Sequence, residues 1–207
     1  MSSTNRQYRE TETLSSPSRQ YPTKVYEDYA YVLELLPYGR PTSERSRHMA
    51  VPTVQVIGEN FFTLLEAQLK PGATANVRDR LYVGRERREK IDRVVGRVGI
   101  EELTIGAQAE LQSVIEDIAK SQEKRFVDFF NNSQAVTPRM HALELLPGIG
   151  KKLMWQIINQ REKKPFASFV DIRERAGITD PAKLIAKGIV EELSGESKYR
   201  LFTRAAQ

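Results

Sequence analysis

A turn in the last third of the chain, Pro-Gly-Ile-Gly at residues 147–150, constrains the fold more than any other stretch. Pro147 cannot continue a helix, because it has no backbone N–H and its ring blocks the preceding turn. Gly148 and Gly150 allow positive φ, so the chain can reverse direction within a few residues. Ile149 lies between them and is expected to fill the junction of two helices. The sequence therefore predicts two helices joined by a tight turn.

The helix after this turn is predicted to run from Gly150 to about Glu162. Its first backbone N–H groups have no intrahelical partners and carry the positive end of the helix dipole. Lys151 and Lys152 add positive charge at the same place, so the turn has the properties of a phosphate-binding site. A turn that only organises the fold is the alternative. The buried stripe of this helix is expected to contain Leu153, Met154, Ile157 and Ile158.

The chain before the turn is predicted to be helical in two places. Thr137 is a suitable N-cap and Pro138 is favoured at a first helical position, so one helix should begin there and run to about Leu146. Further upstream, apolar residues recur at three- and four-residue steps between residues 107 and 130. That spacing predicts an earlier amphipathic helix, which is acidic.

The segment before residue 98 is dense in branched and aromatic residues, which favour β-strands. Turn chemistry at Gly58, Pro71 and Gly84 divides it. Several short strands in a segment of this length predict a small closed or half-closed barrel. The predicted strands cover residues 29–36, 51–57, 61–69, 75–83 and 91–98.

These patterns predict an α+β organisation, with a small β-barrel first and an all-α domain last. The first 24 residues are rich in Ser, Thr, Arg and Gln and contain little to bury, so we expect disorder there. The predicted boundaries are a disordered tail at 1–24, a β domain at 25–104, a helical connector at 105–136 and an all-α domain at 137–207.

Composition limits the class of protein. The 207 residues include no cysteine, which excludes disulfides and thiolate metal sites and fits a reducing cytoplasm. No apolar run approaches the roughly 20 residues of a membrane span. The first residues also lack the apolar core of a signal peptide. We therefore expect a cytoplasmic protein that does not act at a membrane.

Positive charge is concentrated in two places. Residues 137–207 carry thirteen basic and eight acidic side chains, and residues 78–97 net +4. A local excess of this kind favours a polyanionic partner, although a well-solvated surface explains it equally well.

Arg78, Arg80 and Tyr82 alternate along a predicted strand and should face the same side. Basic side chains beside an aromatic ring on a small barrel are typical of single-stranded nucleic-acid binding. The interleaved acids favour a solvated strand with internal ion pairs instead. Trp155 is another stacking candidate, although a tryptophan is more often packed against a neighbouring element.

The turn and its flanks contain residues 145–152 (LLPGIGKK), Ile157 and Ile158, Arg161 and Glu162, Pro165 and Phe166, Ser168 and Phe169, and Asp171 and Ile172. This pattern resembles the helix-hairpin-helix unit of non-sequence-specific nucleic-acid-binding proteins, over residues 137–193. In that family, paired hairpins commonly grip backbone phosphates across a minor groove. The resemblance implies that the nucleic-acid-binding residues are Pro147, Gly148, Ile149, Gly150, Lys151 and Lys152.

The whole chain resembles a more specific family. The matching segments are residues 58–66, 82–84, 90–92, 101–104, 125–126, 129–131, 143–155 and 198–202. Over about residues 27–203 they resemble the archaeal DUF655 family of predicted nucleic-acid-binding proteins. That family joins an OB-like or S1-like β domain to a helix-hairpin-helix domain. The resemblance implies an OB-like barrel at 25–104 and a helix-hairpin-helix domain at 137–207.

The second hairpin expected from this resemblance should lie at residues 176–181 and departs from the pattern. It has one glycine instead of two, and Asp180 lies where the next helix is capped, with Pro181 after it. A capping carboxylate occupies the N–H groups that a phosphate would use and repels phosphate. We therefore expect this hairpin to be structural, with a helix from Pro181 to about Leu193 closing the fold.

An enzymatic function has weaker support. Some DNA glycosylases use the same hairpin with a catalytic lysine and a later aspartate, near the positions of Lys152 and Asp171. Asp171 also fits the start of a helix in non-catalytic hairpins, and no obvious helical domain could enclose a flipped base. His48 and His141 are isolated. No catalytic residue, metal or other cofactor is predicted, and a DNA-repair glycosylase is a minor alternative.

These patterns predict non-catalytic, largely sequence-independent nucleic-acid binding through backbone phosphates at the turn. RNA is mildly preferred over DNA, because an OB-like or S1-like domain suits single-stranded or structured RNA. The alternative is a protein-docking adaptor or subunit associated with a ribosome or transcription assembly, a role that would suit the acidic connector helix.

Overall fold

The alternating apolar residues of the first half of the chain form strands in the computed structural model. The structure describes residues 26–39, 51–195 and 197–204, so the predicted disordered tail and His48 lie outside the described residues. The strands are β1 (Tyr29–Leu36), β2 (Thr53–Gly58), β3 (Leu64–Leu69), β4 (Arg80–Tyr82) and β5 (Ile91–Arg97).

These strands form one curled antiparallel sheet, a half-barrel, with the order β4-β1-β2-β3-β5. The register of β1 against β2 shifts between Val32 and Glu34, and the register of β3 against β5 shifts twice. Irregularities of this kind bend and twist strands, which accounts for the curl. The prediction of a small β structure followed by helices is confirmed at this level.

The strand predicted at residues 75–83 is much shorter than expected. Arg78 has a φ of +73° and lies in a turn before β4, where the Asp79 carboxylate accepts the Asn76 N–H at 3.1 Å. The prediction that Arg78 and Arg80 alternate along one strand is therefore wrong. The local turn around Asn76 and Asp79 overrides the apolar–polar alternation that suggested a strand.

Five α-helices are found within the described residues. They are α1 (Ile105–Ser121), α2 (Glu123–Asn132), α3 (Lys151–Lys163), α4 (Phe169–Ala176) and α5 (Pro181–Ser194). Thr104 caps α1 by accepting the Ala107 N–H at 3.2 Å. The helix predicted over residues 107–130 is divided into α1 and α2 at Gln122, whose φ of −107° and ψ of 32° depart from helical geometry.

The helix predicted from Thr137 to Leu146 is wrong. Two short strands, β6 (Ala135–Thr137) and β7 (Met140–His141), pair there as an antiparallel hairpin. Pro138 and Arg139 form its turn, since the fixed φ of proline suits the first central position of a turn as well as a helix start. A single 3₁₀ turn, Ala142–Leu145, follows before Pro147.

One apolar cluster joins the sheet to the helices. It includes Leu33 and Ile57 of the sheet and Phe62 of the turn between β2 and β3, and each of the helices α1 to α5 contributes buried side chains. Helix α1 packs against both β1 and α5, so it lies between the sheet and the C-terminal helices. A second cluster, which includes Val32 and Val56, fills the opposite face of the sheet.

Two buried carboxylates hold segments of backbone in place. Glu27 is 5% exposed and accepts the N–H groups of Asn60, Phe61 and Thr63 at 2.9 to 3.2 Å. Glu192, on α5, is 3% exposed and accepts the N–H groups of residues 201–203, with the shortest distance 2.8 Å.

Within the part of the chain that the structure describes, no helix is both long and apolar enough to cross a membrane.

Candidate functional site

The turn at residues 147–150 lies at the surface, where it leads into α3. Gly148 has a φ of +89° and is exposed, which is the left-handed geometry that its sequence position suggested. Ile149 is 4% exposed, and its N–H donates to the Leu146 carbonyl at 3.1 Å. The buried isoleucine therefore anchors the turn while the glycines on either side face outward.

The N-terminus of α3 is open. Gly150 is its N-cap, and no side chain caps the helix there. A Cβ placed on Gly148 or Gly150 would meet no atom within 4 Å, so the backbone is approachable from outside. Lys151 and Lys152 are both exposed in the first turn of the helix. An external anion can therefore reach the first N–H groups of α3 and two ammonium groups together.

The second turn, residues 177–180, has the closed geometry expected from its sequence. Gly177 ends α4 in the left-handed conformation, with a φ of +74°. The Asp180 carboxylate accepts the Lys183 N–H at 3.0 Å and caps α5. The positive end of α5 is thus satisfied within the protein.

Gly188 of α5 supports the open turn from behind, and sequence inspection missed it. A Cβ on Gly188 would lie 2.9 Å from Leu146 Cδ2 and 3.4 Å from Pro147 Cδ. A side chain at that position would press on Leu146, so glycine favours the close approach of the helix to the turn. A glycine inside an otherwise regular helical pattern was the available signal.

A groove lies beside the open turn, between α3 and the β6–β7 hairpin, and encloses about 460 Å³. Trp155, expected to pack against a neighbouring element, is instead 58% exposed here. The groove was not foreseen, because the hairpin wall replaces a predicted helix. It is lined by Ala135, Thr137, Pro138, Arg139, Met140, His141, Glu144, Lys151, Met154, Trp155 and Ile158.

His141 forms part of the hairpin wall of this groove. Its Nδ1 accepts the Leu143 N–H at 3.1 Å and thereby caps the 3₁₀ turn. Burial lowers the pKa of His141, and the Arg161 guanidinium lowers that pKa further. The neutral imidazole is therefore favoured, in keeping with its role as a hydrogen-bond acceptor.

The structure separates one of the three β-domain candidates, Arg78, from the other two. Arg78 forms ion pairs with Asp117 and Glu110 of α1, so its guanidinium ties the sheet to that helix. Tyr82 and Arg80 instead line a common cavity of about 540 Å³.

Arg80 is itself held in place within the protein. Its guanidinium makes two hydrogen bonds of 2.7 Å to Glu59 and lies 3.5 Å from the centre of the Tyr29 ring. The bond to Glu59 raises the pKa of Arg80. Tyr82 meets Tyr29 edge to face at 5.3 Å, and its hydroxyl accepts the Glu86 N–H at 3.3 Å. Arg78 and Arg80 thus pair with carboxylates outside the basic segment, Glu110 and Asp117 for Arg78 and Glu59 for Arg80, whereas the turn lysines form no such pairs with the described residues.

Asp171, the aspartate of the glycosylase alternative, is engaged at the start of α4. Its carboxylate accepts the Ala167 N–H at 3.0 Å and pairs with Arg175 at 2.9 Å. The Ala167 N–H and then Arg175 lower the pKa of Asp171. Among the described residues, no group of three or more His, Cys, Asp or Glu side chains could hold a metal ion.

Comparisons with known proteins match almost the whole described chain. The DUF655 family model, described as a protein of unknown function, matches residues 26–204. An uncharacterised protein of Methanocaldococcus jannaschii is 44% identical over 195 residues, 93% of this chain and 87% of that protein. A crystal structure from Archaeoglobus fulgidus, assigned to the same family model, has a TM-score of 0.81 at 49% identity. It covers 86% of this chain and 100% of that one.

Proposed function

We propose that this chain, which belongs to the DUF655 family, is a non-catalytic nucleic-acid-binding protein. It binds backbone phosphates, largely without regard to sequence, at the open turn before α3. In this proposal, α3, α4 and α5 with their two turns form a helix-hairpin-helix domain, and the half-barrel is an OB-like domain. RNA is mildly preferred over DNA.

The proposal rests mainly on the uncapped N-terminus of α3. Gly150 offers no capping side chain, and open space surrounds both glycines of the turn. Lys151 and Lys152 are exposed, and neither forms an ion pair with another of the described residues. Free N–H groups, a helix dipole and two unpaired cations favour a phosphate oxygen.

The half-barrel contributes less to this proposal than the turn does. Arg78 is engaged with α1, and Arg80 is engaged with Glu59. A phosphate would have to compete with these carboxylates. Tyr82 and Tyr29 line the neighbouring cavity and supply aromatic surface for a base. We therefore expect the half-barrel to modulate affinity and the turn to determine it.

The test measures binding at a series of salt concentrations, with fluorescence anisotropy as the readout. The labelled ligands are duplex DNA, single-stranded RNA and structured RNA. The double variant Lys151→Glu, Lys152→Glu should lose more than about tenfold in affinity. Its plot of log affinity against log salt should become shallower by about 2, because two phosphate contacts are removed. The preferred ligand would show whether RNA or DNA is bound.

A matched control comes from α5. The variant Lys183→Glu, Lys187→Glu makes the same charge change at two exposed lysines beyond the closed turn, and should bind nearly as well as the native chain. Equal losses in both variants would mean that net charge, and not the open turn, governs binding. Native affinities weaker than roughly 10⁻⁴ M at physiological salt would remove the proposal and favour a protein-docking role.

A further inference from the structure

The groove beside the open turn has two dissimilar walls. Helix α3 supplies one wall through Lys151, Met154, Trp155 and Ile158, whose spacing places them on a single helix face. The β6–β7 hairpin supplies the other wall. The enclosed volume of about 460 Å³ falls within the range of sites for small organic groups.

The groove presents aromatic surface to solvent. Trp155 is 58% exposed, although a tryptophan gains free energy by burial and usually finds a neighbour. Met154 below it is only 5% exposed, so the floor of the groove is a packed apolar surface. A planar aromatic group inserted here would cover the indole ring and displace water from that floor.

Charge at the rim distinguishes between possible occupants. Arg139 and Lys151 are the cationic residues of the lining, and both are exposed. Glu144 is its acidic residue, and that carboxylate already accepts the His141 backbone N–H at 2.9 Å. An apolar protein side chain would make no use of these cations, whereas an aromatic group that carries phosphates would use both kinds of contact.

The groove is continuous with the open turn through Lys151, which belongs to both. Trp155 follows Lys151 by four residues, which is about 6 Å along the helix axis. A phosphate at the turn and a base on Trp155 can therefore belong to the same nucleotide or to adjacent ones.

We propose that this groove binds an unpaired nucleobase, stacked on Trp155, of a strand whose phosphate occupies the open turn. This inference rests on the proposed function and narrows it to single strands. In a duplex the bases are stacked on one another and their faces are not free for the indole. RNA and DNA strands both have such bases, so both are used as probes.

Trp155 is the only tryptophan of the 207 residues, so the fluorescence of the native, full chain reports on this groove alone. The probes are four 12-nucleotide ligands: single-stranded RNA, single-stranded DNA, an abasic strand and a duplex. Each carries a label for anisotropy. Both base-containing single strands should quench Trp155 as they bind. The abasic strand and the duplex should bind without quenching, and the ratio of the RNA and DNA affinities gives the preferred backbone.

Substitution of Trp155 separates stacking from folding. Trp155→Ala should weaken binding of the single strands by about tenfold and leave the abasic strand unchanged. Trp155→Phe keeps an aromatic face and should restore most of the affinity. Because Trp155 is mainly exposed, both variants should retain the native melting temperature, which is measured alongside.

The outcomes distinguish this inference from the function on which it rests. If the single strands bind, and Lys151→Glu, Lys152→Glu abolishes that binding, but Trp155 fluorescence does not change at saturation, the groove holds no base and phosphate binding stands. Base stacking would also be overturned if Trp155→Ala weakened binding of the abasic strand as much as binding of the base-containing single strands. If none of the four ligands binds, both proposals fail.

Discussion

The two turns that lead into helices α3 and α5 share a backbone conformation but differ in how the N-terminus of the following helix is capped. Each contains a left-handed glycine, Gly148 with a φ of +89° and Gly177 with a φ of +74°. The turn before α3 ends at Gly150, which has no capping side chain. The turn before α5 ends at Asp180, whose carboxylate caps the helix.

The first residues of the two helices also differ in their exposure to solvent. The first turn of α3 begins with two exposed lysines, whereas α5 begins with Pro181 and Ala182, both buried. One helix start therefore remains electrostatically unsatisfied at the surface, and the other is satisfied and incorporated into the core. A glycine turn thus leaves a helix N-terminus accessible to an external anion only when neither a capping side chain nor burial already occupies it.

The largest expected effect comes from transferring the cap of α5 to α3 with Gly150→Asp. Gly150 has a φ of −86° and a ψ of 175°, close to the −64° and 161° of Thr104, which does cap its helix. The new carboxylate should accept the Leu153 N–H and repel phosphate. Affinity for nucleic acid, measured by anisotropy, should fall about 10- to 100-fold.

Gly150→Asn is the matched control, because it supplies the same cap without the charge. It should lose less affinity than Gly150→Asp, and both variants should melt at or slightly above the native temperature. Native affinity in Gly150→Asp would contradict a phosphate site at this turn.

A smaller effect is expected from alanine at the two left-handed glycines. Gly148→Ala and Gly177→Ala should each lower the free energy of unfolding by about 1–2 kcal/mol, since alanine is strained at positive φ. Neither position has a steric conflict for Cβ, because the nearest contact is 3.6 Å, from Gly177 to Gln156. Denaturant melts measure the stability, and only Gly148→Ala should also weaken nucleic-acid binding. Equal binding by both variants would remove the functional difference between the turns.

Asp180→Ala tests the closed turn. Loss of the cap should lower the free energy of unfolding by about 1 kcal/mol. Nucleic-acid affinity should remain native, because the turn before α3 is untouched. A loss of binding in this variant at temperatures where it is fully folded would show that the closed turn also contacts the ligand.

The smallest expected effect concerns pH. Because the pKa of His141 is lowered in the folded protein, the unfolded chain, with a histidine pKa of about 6.5, binds this proton more readily. The free energy of unfolding should therefore fall as pH decreases below about 6.5. Above that pH His141 should cause no such destabilisation.

His141→Asn removes the titration while keeping a side-chain acceptor for the Leu143 N–H. Thermal melts of this variant and the native chain, taken between pH 5 and 8, should differ by a constant above about pH 7, and the native chain should lose stability relative to the variant as pH falls below that. Parallel curves throughout that range would mean that His141 does not titrate differently on folding.

Local signals predicted much of this molecule. The glycine turn, the Asp180 cap and most strands depend on residues within a few positions, so sequence inspection located them. Thr137 and Pro138 were ambiguous, because the same dipeptide suits a helix start and a hairpin turn. Pairing of residues 135–137 with 140–141 decided in favour of the hairpin.

Long-range contacts could not be inferred from the sequence. Arg78 binds Asp117, thirty-nine positions away, and Gly188 meets Leu146 across the packed helices. The open groove required both the hairpin and the exposed orientation of Trp155. Each of these depends on how elements pack, which no local pattern specifies.

The buried carboxylate of Glu192 has a consequence for cooperative motion. It binds the backbone of residues 201–203, where Phe202 packs against Phe126 and Phe129 at 5.5 and 5.0 Å. The same helix holds the open turn through Gly188. Opening this segment would remove the backbone partners of the Glu192 carboxylate, so we expect the amide hydrogens of residues 201–203 and of Ile149 to exchange as one unit. We therefore expect the rigidity of this surface turn to depend on a carboxylate that is buried elsewhere on the helix behind it.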